Sequence, residues 1–429
     1  MRNIEKENLI KKIKPAKIFK GIIVVGMIVS VLISASACKE SAAVEEQVEE
    51  QQQEEKGEVV ITSETKETTG ITRETIDETD EADSTGNEET SGKKDTPDIT
   101  FPIKIKVLFL NYDPIIESEE GKRLHEIVGG VDPHLYVSTF IQEISNVSGK
   151  KVIYEVVEWI DIDSFVPYTD GFQYTDESFM RCWEDSGAPN YGWWDWPGWH
   201  AHEKDQATGM ADYNWIINNN DLIERLNNGE IDEVFLSSHP FSGLYESLMV
   251  GKDAYWCNSQ PIIRNDANKN FIIQGGFGYA HDYSYFEDYS VGCMLESFGH
   301  RVESVMEHIY GRWDYTIPYE QMNMWEKFTL YDKVFPGNAA CGSVHYAPNS
   351  ESDYDWGNER YVYSTCDDWL SYTNLTGEKK EVNCSEWGNG GIRSHHIWWL
   401  SHIPKADGFD SNGMLNNWWG YFTKLYTSY

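Results

Sequence analysis

The chain has 429 residues, with 71 acidic against 35 basic side chains and a formal net charge of −36. Charge of that sign and size repels nucleic acid and anionic membrane surfaces, which excludes both as partners of the folded part. Cationic ligands and bound metal ions stay compatible with it, and the 14% of aromatic residues can furnish a large core.

In chain order, a lysine-rich start (Lys6, Lys11, Lys12, Lys14, Lys17, Lys20) runs into an apolar stretch from Gly21 to Ala37 that ends Ala35-Ser36-Ala37-Cys38. This is the layout of a secretory leader with small residues before the cut. It looks like the lipobox of bacterial lipoproteins, which implies lipidation at Cys38 and an extracytoplasmic, lipid-anchored location at the bacterial cell membrane. Ala35 departs from the leucine usual three residues before that cysteine. An uncleaved anchor is the competing reading, and the stretch is at the short limit for a span.

Residues 39–98 carry 20 acidic and 6 basic side chains and almost no large apolar residue. Such a segment cannot bury enough apolar area to offset its ordering entropy, so it reads as a disordered tether with an r.m.s. reach of roughly 40 Å. The remainder, near −27 in charge, divides into an α+β domain over 99–311 and a loop-rich, aromatic part over 312–429 packed on the same domain. Its six cysteines are even in number and include no C-x-x-C pair, so disulfides are compatible with the sequence but no pairing is fixed by it.

Ile103–Leu110 passes from alternation to a fully apolar run and predicts a central strand. Asp132-Pro133 starts a helix, with Phe140, Ile141, Ile144 and Val147 on one face and Gly149 at its end. Lys151–Ile160 predicts a second strand. The stretch Asp161–Met210 shows no period. Asp212–Asn228 predicts one helix, Ile231–Leu236 and Phe271–Phe277 two more strands, and Asp288 or Ser290 caps a helix running to Tyr310. The order strand, helix, strand, helix, strand, strand, helix predicts an α+β fold, a mixed sheet with packed helices, and not a doubly wound one.

On that last helix Glu296, His300, Glu303 and Glu307 fall on one stripe, with Leu295, Val302, Met306 and Ile309 opposite. Carboxylates at i,i+4 repel one another unless a cation sits among them, and Arg301 points away from the stripe. Gly299 costs about 1 kcal/mol in a helix interior and implies close approach of another backbone. A half-buried surface helix shows the same two faces, with His300 and Glu303 as an ordinary i,i+3 pair.

Glu296-Ser297-Phe298-Gly299-His300 resembles the His-Glu-Phe-Gly-His segment of zincin metallopeptidases, placed after a similar strand–helix series. The resemblance implies a zincin-like domain over 99–311, with His300 matching the second zinc-ligand histidine and Glu296 standing at the first. Glu303 and His345 are the candidates for a third ligand. Ser297 stands where the catalytic glutamate would be and cannot act as a carboxylate base, so Glu303 or Glu246 would have to replace it. Met294–Glu303 and Gly342–Asn358 also look like a group of secreted bacterial proteins to which no activity attaches.

Two other features compete. Trp193, Trp194, Trp196 and Trp199 crowd a Gly/Pro turn with His200 and His202 and offer ring faces for a sugar. Asp353, Asp355 and Asn358 are closely spaced oxygens suited to calcium, although not at EF-hand spacing. His395, His396 and Glu386 read as structural. No nucleophile elbow, P-loop or dinucleotide fingerprint is present.

The sequence therefore predicts a surface-tethered, zincin-like, zinc-dependent hydrolase or its inactive relative. It would act on extracellular protein, peptide or wall polymer, with a polypeptide lying along an edge strand such as Phe271–Phe277, and its partners are extracellular protein, peptide or glycan. The alternative is a non-catalytic carbohydrate-binding or adhesion lipoprotein.

Overall fold

Ten residues, Ile103–Tyr112, form β1, the strand around which the domain is built. The first half alternates between buried and exposed; from Val107 onward every residue is buried, as for a strand covered on both faces. The computed structural model describes residues 99–185, 210–239, 241–276, 287–311 and 313–424, within one unit spanning Pro97–Tyr429. Cys38, the tether, and Trp193, Trp194 and Trp196 lie outside the described residues.

Asp132 accepts from the His134 amide at 2.8 Å and opens α1, Pro133–Val147, with proline in its first turn. The chain returns as β2, Val152–Ile162, parallel to β1. The unperiodic stretch that follows contains helix α2, Asp176–Asp185. The single helix expected over Asp212–Asn228 is two, α3 (Tyr213–Asn219) and α4 (Leu222–Asn227), because Asp221 between them has φ +49°, a left-handed conformation no α-helix continues through.

Four more strands complete the sheet: β3 (Glu233–Ser237), β4 (Ser247–Gly251), β5 (Ile262–Ile263) and β6 (Phe271–Gly276). The order is β2-β1-β3-β6-β4-β5, with β4 antiparallel to β6 and the other pairs parallel. The fold is thus α+β with a mixed sheet and packed helices. Two expectations are corrected here. The four strands β2-β1-β3-β6 are parallel with helices packed on both faces, a doubly wound arrangement that the sequence reading set aside. Phe271–Gly276 is not an edge strand, because β3 and β4 flank it; the edges are β2 and β5.

The period-two pattern sorts two cores. Ile105, Val107 and Phe109 face α1 and a 24-residue helix, α5 (Glu287–Tyr310); Leu108, Leu110 and Tyr112 face α3 and α4. From Ser290 to Met306, α5 is buried on nearly every side, because helices α6 (Met324–Phe328), α7 (Ile392–His402) and α8 (Trp419–Thr423) close over it. Trp325, Trp399, Trp418 and Trp419, all fully buried, fill that second layer. The aromatic richness of residues 312–424 therefore goes into a core, and the surface-helix reading of α5 fails. Among the described residues no helix is long and apolar enough to cross a membrane.

Candidate metal centre

On α5 the spacing of four and three residues puts Glu296, His300 and Glu303 on one side, as the sequence requires. What the sequence does not show is the partner: a tight turn, Gly342–Tyr346, that lays His345 against this stripe. Donor atoms of Glu296, His300 and His345 all lie within 4.8 Å of one another. His345 Nε2 is 3.3 Å from Glu296 Oε1, and the two imidazoles stand perpendicular with centroids 4.7 Å apart.

Each imidazole is held from behind by a carboxylate. His300 Nδ1 is 3.0 Å from Glu303 Oε2, and His345 Nδ1 is 3.2 Å from Asp353 Oδ1. A carboxylate on Nδ1 fixes the ring and turns the Nε2 lone pair outward, the arrangement by which proteins orient metal-binding histidines. Nε2 of both rings is buried and makes no hydrogen bond. Leaving a buried polar atom so costs on the order of 1–3 kcal/mol, and two such atoms beside a buried carboxylate fit a bound cation. Two nitrogens and one oxygen suit zinc or a neighbouring transition metal.

Glu303 is thereby corrected from ligand to orienting group: its other oxygen, Oε1, accepts from the Val344 amide at 2.9 Å and ties the turn to the helix. We expect Glu303→Gln and Asp353→Asn each to weaken divalent-ion affinity about 10- to 100-fold, measured by calorimetry. An unchanged affinity in both would remove this outer layer from the account.

The turn itself has identifiable causes. Gly342 has φ +73°, and a Cβ there would lie 1.9 Å from the Tyr346 carbonyl, so only glycine fits. The indoles of Trp399 and Trp356 donate to the Gly342 and Val344 carbonyls at 3.0 and 3.2 Å. The Tyr354 amide donates to the His345 carbonyl at 3.1 Å, which folds Asp353 back onto the ring. A disulfide, Cys341–Cys366, closes the 25-residue span that carries both residues. Replacing both cysteines with serine should cost about 3.5 kcal/mol in denaturant unfolding by loop entropy and should weaken metal binding as well. Stability lost with affinity untouched would show that the bridge does not hold the site.

The carboxylates around the two rings favour positive charge, so without an ion the imidazoles hold protons that a bound metal would displace. Burial works against charge on His300, but the Glu246 carboxylate and the hydrogen bond to Glu303 outweigh it and push its pKa up to about 9. Burial likewise opposes charge on His345, and Asp353 and Glu296 outweigh it, raising it well above the ordinary imidazole range. Glu296, despite burial, is held below the usual carboxylate value by His345, His396 and His300.

Glu246 stands on the ligand side of His300, with Oε2 3.7 Å from Nε2 and a hydrogen bond from Asn258 Nδ2. Its carbonyl accepts from the Gly275 amide at 2.8 Å and from Gln274 Nε2 at 2.9 Å. A Cβ on Gly275 would lie 2.3 Å from the Tyr245 carbonyl, so glycine in β6 is what lets this segment approach. Glu303 faces Nδ1, the far side of the ring, and is not placed as a base. Ser297 is fully buried, and its hydroxyl has no hydrogen-bond partner.

The other candidates separate. Asp353 turns to His345, Asp355 Oδ2 accepts from the Glu351 amide and Asn358 Nδ2, and Asn358 Oδ1 accepts from the Arg360 amide. Each of these oxygens thus has a protein partner of its own, so the three are not the unpartnered set the Glu296–His300–His345 group is. Glu386 pairs with Lys380 at 2.7 Å on the surface. Glu307 is exposed. Gly299 admits the Val344 side chain, whose Cγ2 would be 2.6 Å from a Cβ, and not the expected backbone; the backbone approach is at Gly292, where a Cβ would lie 3.0 Å from the Arg393 amide nitrogen. Comparison with known families, curated proteins and solved structures finds no match to this chain.

Proposed function

We propose that this chain is a zincin-like, metal-dependent hydrolase in which Glu296, His300 and His345 hold zinc. The observation that carries the reading is the pair of buried imidazoles, each fixed at Nδ1 by a carboxylate and converging on Glu296 with an unbonded Nε2. The zincin resemblance at Glu296–His300 agrees with it, since α5 directly follows the last long strand of the sheet. The ion, when bound, polarises a scissile carbonyl.

Glu246 takes the role that Ser297 cannot. It lies on the ligand side of His300, and its carbonyl is anchored to β6. From there it accepts a proton from the attacking water and returns it to the leaving group. His345 and His300, held by Asp353 and Glu303, keep their rings fixed through the cycle. The acidic surroundings favour a substrate without anionic groups at the cleaved bond.

The substrate class is extracellular protein, peptide or glycan, and the location is the outer surface of a bacterial cell membrane, tethered through Cys38. The Cys341–Cys366 bridge supports an oxidising compartment. The test is hydrolysis of protein, peptide and glycan panels by the purified metal-loaded chain, beside Glu246→Gln. The variant should keep its ion and lose about 10²- to 10⁴-fold in rate. No hydrolysis of any class by the loaded chain sinks the hydrolase reading, and full activity in the variant sinks Glu246 as base.

A further inference from the structure

Helices α5 and α7 lie side by side in the same direction. Gly292 meets Ile392, whose Cγ2 would be 2.5 Å from a Cβ there, and Gly299 meets Val344 and Trp399, whose Cζ3 would be 3.7 Å away. Seven residues separate the two contacts on each helix, so residue 296 stands opposite residue 396. The histidine at that position, His396, is fully buried.

Its chemistry repeats that of the other two. Nδ1 is 2.7 Å from the Ile392 carbonyl oxygen. A carbonyl only accepts, so Nδ1 carries the proton and Nε2 is a bare lone pair. That Nε2 is buried with no hydrogen-bond partner. Glu296, His300 and His345 all lie near enough to act on this ring electrostatically. A buried lone pair with no hydrogen-bond partner, within electrostatic reach of Glu296, His300 and His345, fits a ligand to a cation shared with them. His395, next door, differs: neither ring nitrogen has a partner, it stacks on Trp356 at 5.0 Å, and the groups that act on it electrostatically are His396 and His345, with no carboxylate among them.

Resting on the metal-centre reading, we propose that His396 is a fourth protein ligand, making the donor set three imidazoles and one carboxylate. His396 stands outside the group of three within 4.8 Å. Its ring closes on the ion by swinging about the Nδ1 hydrogen bond, which that motion keeps. Glu246, more exposed than His300, marks the side from which substrate would approach. Such a nitrogen-rich set selects late transition-metal ions over calcium or magnesium.

X-ray absorption on the full-length chain loaded with zinc or cobalt counts the imidazoles. Three in the wild type, two in His396→Gln and three in His395→Gln support the proposal, together with a loss of affinity above about 100-fold in the first variant, beyond what outer partners contribute. Two imidazoles in the wild type overturn it, as does an unchanged count in a folded His396→Gln. Should that variant not fold, the wild-type count alone decides. His300→Ala separates the layers: an ion fully retained there overturns the metal centre itself, whereas an ion lost there with only two imidazoles in the wild type overturns His396 alone.

Discussion

His300→Ala is expected to empty the metal centre. The substitution removes one of the nitrogens that meet Glu296, and it also strands Glu303 and Glu246, which would face a cavity with no cation between them. Outer partners of a metal ligand are worth about 10- to 100-fold in affinity, so losing the ligand costs more than about 100-fold, or some 2.7 kcal/mol. His345→Ala should behave alike, and Glu296→Gln should follow. Two measurements check this. Elemental analysis of the purified full-length proteins should find one ion per wild-type chain and far less in the variants. Thermal unfolding adds a linkage test: at free ion about 1,000 times Kd, binding stabilises by about 4 kcal/mol, so a chelator should lower the wild-type Tm and leave that of His300→Ala unmoved. A variant that keeps its ion, or a wild type indifferent to chelator, would remove the basis for any metal chemistry here.

How far the sequence anticipates this centre depends on where each residue sits in the chain. Glu296, His300 and Glu303 are legible because one helix generates their neighbourhood, and helical spacing is a local property. The direction of each side chain is less legible: Glu303 and Glu246 flank the same ring, but only the fold decides which faces Nδ1 and which Nε2. His345 is readable as a candidate but its placement is not, since it depends on a turn that exists because Gly342 tolerates φ +73° and two distant indoles bond its carbonyls. Asp353 carries a usable signal, lying eight residues beyond His345 inside the same disulfide-closed span. His396 carries almost none, because its relation to Glu296 arises from two helices and the two residues are 100 positions apart in sequence. The sheet behaves similarly. β1 and β2 announce themselves by alternation and β-branched content, whereas β4 is five wholly buried residues with no alternation to read. Missing β4 is what made β6 look like an edge.

The face of α5 that carries the candidate metal ligands is set by a neighbouring residue outside that stripe, and that yields the largest expected loss of stability. Arg301 is fully buried; Nη1 and Nη2 bind Glu233 at 2.7 and 2.5 Å, and Nε donates to the Phe422 carbonyl at 2.9 Å. One guanidinium thus joins β3, α5 and α8. Breaking a buried pair from one side strands the other charge, so Arg301→Met should destabilise the fold by about 3–5 kcal/mol in denaturant unfolding. Replacing both partners, as in Arg301→Met with Glu233→Leu, should recover most of that, because the desolvation cost of the pair disappears with its attraction. The two outcomes differ in function, however. Successive helix residues are 100° apart, so the grip on Arg301 fixes the rotation of α5 and with it the direction of His300. The double variant should therefore regain stability without regaining full metal affinity. A single variant within about 1 kcal/mol of wild type would show that the pair is not a fastening, and full affinity in the double variant would show that packing alone sets the helix rotation.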